Sequence, residues 1–146
     1  MPNPLGFLVG LAGRGRFSDA LRAELEAEGV EQLAEDLFGT ITLRGYHGPD
    51  RIANYRKQGF AAAVAVTRKR LVVWSGSKWG APKGMQINVG FDDPRFARLE
   101  IAAEAPDRFF VACELDEFHD DRSGRFEVRL HTPKATELAE FALAAR

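Results

Sequence analysis

Residues Ala61 to Trp74 read AAAVAVTRKRLVVW. Two short apolar runs flank one tight basic turn, Thr67-Arg68-Lys69-Arg70. Both runs are rich in Val, which suits a pleated strand. The spacing predicts a β-hairpin whose tip carries three cations. It sets a β-rich core with positive charge at one edge.

The period of two extends outward on both sides. Ile41 and Leu43 alternate with Thr40, Thr42 and Arg44, and Gly48-Pro49-Asp50 marks a turn. Ile52 to Lys57 reads as a weaker strand, broken at Gln58-Gly59 before Phe60 to Thr67. After the hairpin, Ser75 to Gly84 is a Gly/Pro loop and Gln86 to Phe91 alternates again. Asp92-Asp93-Pro94 turns the chain into a strand from Phe96 to Ala103, with Leu99 and Ile101 inward. Ala105-Pro106-Asp107 turns it once more. Phe109, Val111, Cys113 and Leu115 then share one strand face, and Phe126, Val128 and Leu130 share another after Ser123-Gly124.

Helical spacing brackets the strands. Ser18 is an N-cap with Asp19 behind it, and Gly29 a C′ stop. Val30, Leu33, Ala34 and Leu37 recur at i, i+3, i+4, i+7, predicting a second helix that ends at Gly39. Thr132-Pro133 opens a final helix with a stripe of Leu138, Phe141, Ala142 and Ala145. The expected fold is mainly β with α. It is a small antiparallel barrel or orthogonal sandwich of about seven strands, capped by a C-terminal helix and preceded by two short N-terminal helices. The expected division is a helical extension over 1–37 and a β-barrel domain over 38–146.

Composition fits a single soluble domain. The chain has 146 residues, 45% hydrophobic and 28% charged. By size scaling it buries about 16,000 Å² of roughly 23,500 Å² on folding, enough for a core without staples. Its single cysteine, Cys113, forms no internal disulfide, so a reducing cytoplasm is the expected location. The apolar run Leu5 to Ala12 is eight residues long, where a membrane span needs about 20. It carries no signal-peptide pattern and reads as a tail that docks on protein or touches a membrane.

Net charge is −1, but it is unevenly spread. Residues 1–36 carry −4, residues 37–84 carry +8 and residues 85–146 carry −5. The basic block comprises Arg44, Arg51, Arg56, Lys57, Arg68, Lys69, Arg70, Lys78 and Lys83. A cation near an anionic surface contributes about 1 kcal/mol, so the block is a candidate anion- or partner-binding surface. The plainer reading is a solvated face paired with acids elsewhere. Aromatics are not interleaved with the cations, which argues against nucleic acid. Trp79, in the loop with Lys78 and Lys83, is a candidate contact to a ligand or membrane interface.

The hairpin AVAVTRKRLVVW (63–74), the late run SGRFEVRLHT (123–132) and the helix after Pro133 together resemble bacterial pleckstrin-homology-like (PH-like) domains. The resemblance covers residues 38–146. It implies a helix-capped barrel and a binding or scaffolding module, often self-assembling, rather than an enzyme. The basic pattern with which some members bind phosphoinositides would fall on Gly39 to Lys57, and its usual arrangement of cations is missing there.

No catalytic set stands out. The cluster Glu114, Asp116, Glu117, His119, Asp120 and Asp121 lacks EF-hand spacing and reads as a turn. His47, His119 and His131 have no zinc-ligand spacing, and Cys113 reads as a buried hydrophobe. Gly10, Gly13 and Gly15 match no nucleotide fingerprint. No metal or cofactor is expected.

The expected function is a non-enzymatic scaffold that binds a protein partner or its own copies, with weak contact to anionic membrane. The alternative is a hydrophobic-ligand barrel resembling the Bet v 1 and START group, against which the short closing helix argues. An enzyme resting on His119 is a third reading. An unfilled barrel would favour the ligand barrel, and a filled one the interaction module.

Overall fold

The computed structural model describes residues 15–76 and 83–145. The element order is α1 (Asp19–Glu28), β1 (Val30–His47), β2 (Ile52–Thr67), β3 (Arg70–Ser75), β4 (Gly84–Gly90), β5 (Glu100–Ala105), β6 (Arg108–Glu114), β7 (Ser123–His131) and α2 (Ala135–Ala144). Short 3₁₀ turns occupy Pro94–Arg98 and Leu115–Glu117. The seven strands form one antiparallel sheet in the order β4-β3-β2-β1-β7-β6-β5. The sheet is not closed into a barrel, and β4 and β5 are its edges.

The opening hairpin forms as read, with Val66 opposite Leu71 and Val64 opposite Val73. Its apolar run is continuous because both faces are covered. Ala62, Val64 and Val66 join the main core, while Ala63, Ala65 and Val72 pack under α1 with Leu21 and Leu25. Ser18 caps α1 by accepting from the Leu21 amide at 3.3 Å. Gly29 ends α1 at φ 91°, a conformation that favours glycine.

One N-terminal helix precedes the sheet, not two. Residues 30–37 are the start of β1. Ala34 pairs with Val64 and Leu37 with Ala62, so β1 advances three residues while β2 advances two. That is a β-bulge. Asp36 sits inside it at φ 57°. The extra residue puts Ala34 and Leu37 on the same core face three positions apart, which imitates helical spacing. Leu33 faces the other way, toward the α1 cluster. A division at 37/38 therefore falls inside a strand.

Gly39 is not a helix stop but a site of close packing in mid-strand. A Cβ there would stand 2.7 Å from the Phe60 ring and 2.8 Å from Leu130. Gln58-Gly59 does not break β2, because Gly59 pairs across with Thr40. Residues 94–98 are 3₁₀ rather than strand. Pro94 opens that turn, and the Asp93 carboxylate accepts from the Arg95 amide at 2.9 Å.

The closing helix α2 packs on the core through Ala135, Leu138, Ala139 and Ala142. Its buried face shares Leu138 and Ala142 with the expected stripe but uses Ala135 and Ala139 in place of Phe141, which is 41% exposed; Leu143 is 40% exposed. Among the described residues, no helix is long and apolar enough to cross a membrane.

Candidate functional site: a cleft beside an edge strand

α2 covers part of the main core. A cleft of about 540 Å³ lies between the inner face of β1 and β7, the edge strand β4, and the turns after β6. Its floor is apolar: Ile41, Ile87, Val89, Leu115 and Phe126. Each belongs to a strand or turn whose register turns it inward. No residue of α2 lines the cleft, so it is not a cavity closed by a terminal helix.

The rim is polar and comes from three connections. Asp50 and Arg51 lie at the β1–β2 turn, Arg95 in the 3₁₀ turn after β4, and His119 and Arg122 in the β6–β7 connection. Each arginine is held by a neighbouring acid. Arg95 donates to Asp93 at 2.7 Å and lies over the Phe118 ring at 5.2 Å. That guanidinium, with the Arg95 amide, holds the Asp93 carboxyl down at about 2. Arg122 donates to Asp121 at 3.0 Å, and Arg51 meets Asp50 at 3.4 Å. Only Asp50 of these three acids lines the cleft. Arg95 and Arg122 each hold their acid through two nitrogens, so only the single Arg51–Asp50 contact is of the weak, exposed kind.

Met85, Gln86, Ile87, Asn88 and Val89 all line the cleft. Successive side chains of a strand point to opposite faces. Five consecutive lining residues therefore mean that the cleft runs along the edge of β4, with backbone as part of its wall.

Cys113 also lines the cleft, at 8% exposure. Burial, together with Glu114 and Glu117, pushes its thiol up to about 11. A nucleophilic cysteine needs the opposite shift. Among the described residues no group of three or more His, Cys, Asp or Glu side chains is placed to hold a metal ion.

The basic block does not converge. Arg56 and Arg68 are twelve positions apart on β2 and the turn beyond it, about 40 Å of extended strand. At one end Arg51 reaches the cleft, while Lys57 is exposed. With the Gln58 amide turned so that its oxygen faces Arg56, Arg56 donates to that oxygen at 2.9 Å. Arg44 donates to Glu127 at 3.2 Å and stacks on Tyr55. Glu127 also receives Arg125 and Arg129, on the face of the sheet away from the core. Burial alone would raise the Glu127 carboxyl, but these three arginines hold it below its ordinary value.

At the other end the hairpin tip is tied to α1. Thr67 Oγ1 accepts from the Lys69 and Arg70 amides at 3.0 Å each, which shapes the turn. Arg70 folds back onto Glu28 at 2.7 Å and Glu24 at 3.2 Å, and Arg68 reaches Glu31 at 3.4 Å. Burial would raise the Glu28 carboxyl, and hydrogen bonds from Arg70 and Thr67 more than offset this. Lys69 and Lys83 are exposed. Lys78 and Trp79 lie outside the described residues. So do residues 5–12, Gly10 and Gly13.

Arg95 and Arg122 sit in the acid-rich final third, which sequence reasoning set aside. The one available signal was an acid next to each, Asp93-Pro94-Arg95 and Asp121-Arg122. Compared with known proteins, the chain matches no family model and none of the curated proteins.

Proposed function

We propose that the chain is a non-enzymatic binding module of PH-like build that holds the apolar part of a ligand in the cleft beside β4. The cleft carries this reading. It is concave, has an apolar floor and a few polar groups at its mouth, and falls in the size range of small-ligand and peptide sites. The antiparallel strands and closing helix are the elements the PH-like resemblance implies, and they support it. The protonated Cys113 thiol favours binding over nucleophilic catalysis. An anionic surface at the hairpin tip gains less support, since Arg70 is folded back onto Glu28 with both side chains largely buried.

Titration of the full chain with anilinonaphthalene sulfonate, an amphipathic anionic dye, tests the reading. A saturable fluorescence gain is expected. Leu115→Trp should abolish it by filling the floor, and Met85→Trp should reduce it at the mouth without touching the core. No saturable gain, together with a bare mass in native mass spectrometry, refutes the reading.

A further inference from the structure

Residues 15–17 form a strap across the face of the sheet opposite the cleft. Phe17 packs in the α1 cluster, 6.4 Å from the Trp74 ring on β3. Gly15 lies over β2 and β1, where a Cβ would stand 2.7 Å from the Ala62 carbonyl oxygen and 3.0 Å from the Asp36 Cα. The β1 bulge holds this strap. The Asp36 amide donates to the Gly15 carbonyl at 2.8 Å, and the Asp36 carboxylate accepts from Arg16 at 2.9 Å. The Glu35 carboxylate accepts from the Phe17 amide at 3.0 Å. From Phe17 back to Gly15 the chain therefore steps from β3 to β1.

That step leads to a row of residues beyond the α1 cluster. Leu37 faces the main core, so Phe38 faces away from it. Phe38 pairs with Ala61 on β2 and with His131 on β7. It is 36% exposed, and its ring lies 5.6 Å from the His131 ring. Ala61 is fully buried but belongs to neither apolar cluster. The uncharged run LGFLVGLA ends at Ala12, three residues before Gly15. Three Cα steps reach at most about 11 Å, and Asp36, beside Gly15, is two residues from Phe38. Eight residues span about 12 Å as a helix or about 27 Å extended. Three neighbouring strands are about 10 Å across. The run is therefore long enough to cover the row, and so short a tether holds it there at a millimolar-scale effective concentration.

We propose that residues 5–12 dock in cis on this outer face, over Ala61, Phe38 and His131, and that the Glu35–Asp36 bulge is the clamp that aims them there. A non-glycine residue at φ 57° carries a backbone cost. At Asp36 that cost is offset by the amide and two carboxylates that the bulge presents to the strap. The docked run covers the exposed Phe38 and leaves the cleft, on the other face, untouched.

Leu8→Asp in the isotope-labelled full chain tests this, with Asn3→Asp as the charge control outside the run. Leu8→Asp should move the amides of Phe38, Thr40, Ala61 and His131 and leave those of Ile87 and Val89 in place. It should also speed tryptic cleavage after Arg14, the first basic residue of the chain, about tenfold or more. Asn3→Asp should move none of these amides and change the cleavage rate less than about twofold. Phe38→Ser removes the dock rather than the run and should speed the same cleavage. Shifts centred on the cleft would place the run there and overturn the proposal. A concentration-dependent dimer that Leu8→Asp dissolves also overturns it, because the run would then dock on a second copy. So does sedimentation with phosphatidylserine vesicles while Phe38 is unmoved by Leu8→Asp, since the run would then serve a membrane. Unmoved amides and equal cleavage rates in all three variants leave the run undocked and sink the idea.

Discussion

Replacing Arg70 by Met should expose how the hairpin tip is held. The guanidinium meets Glu28 through two nitrogens, at 2.7 and 3.0 Å, and both side chains are 16% exposed. Met keeps much of the stem but leaves the Glu28 carboxylate with Thr67 alone, at 3.0 Å. A hydrogen bond to a charged group contributes about 1.5–3 kcal/mol. The arm to Glu24 adds little, since that carboxylate is 69% exposed. The expected loss is about 2 kcal/mol, or roughly 4–8 °C in melting temperature for a chain of this size. A double-mutant cycle with Glu28→Gln, followed by urea unfolding, should give a coupling of about 1–2 kcal/mol at neutral pH. The pH dependence has a definite sign. Glu28 titrates lower in the folded chain than its ordinary 4.5. Its contribution is therefore complete above pH 4.5 and is lost as pH falls through the lower folded value. A neutral-pH coupling below about 0.5 kcal/mol, or one that persists in strong acid, would refute the reasoning. The tip would then be a freely solvated cation cluster.

Two further outcomes test the packing. Gly39→Ala should cost about 1–3 kcal/mol in urea unfolding, because its Cβ would press on Phe60 and Leu130 from opposite sides. Unchanged stability would mean that the sheet spreads there easily. Cys113 should stay unreactive toward a disulfide reagent at mildly alkaline pH until denaturant is added, since its thiol is held near 11. Rapid labelling of the native chain would mean that the cleft floor is wetter than its burial indicates.

The hairpin at 61–74 was legible because nothing interrupts it. Burial on both faces gives a continuous Val/Ala run, and the basic turn marks its end. The start of β1 was not legible, because a single inserted residue converts the two-residue step into a three-residue one. Phe141 misled for a similar reason, lying one position beside a face built mainly from alanines. The cleft was harder still. Its rim gathers Arg51, Arg95 and Arg122 from three connections separated by whole strands, and charge summed along the chain hides them among acids. The uncharged run of β4 was readable in the sequence, but that it is an edge depends on sheet order.

That order also sets a timetable for folding during synthesis. β1 pairs with β2 on one side and with β7 on the other, and Phe38 sits opposite His131. The β1–β4 meander can assemble as it leaves the ribosome, yet the second side of β1 waits for about 40 more residues. At about 5–20 residues per second, that leaves a central strand half-paired for roughly 2–8 s. Such an interval is long enough for a holdase chaperone to matter. Slowing translation between Gly90 and Ser123 should therefore lower the soluble yield of this chain more than slowing it earlier.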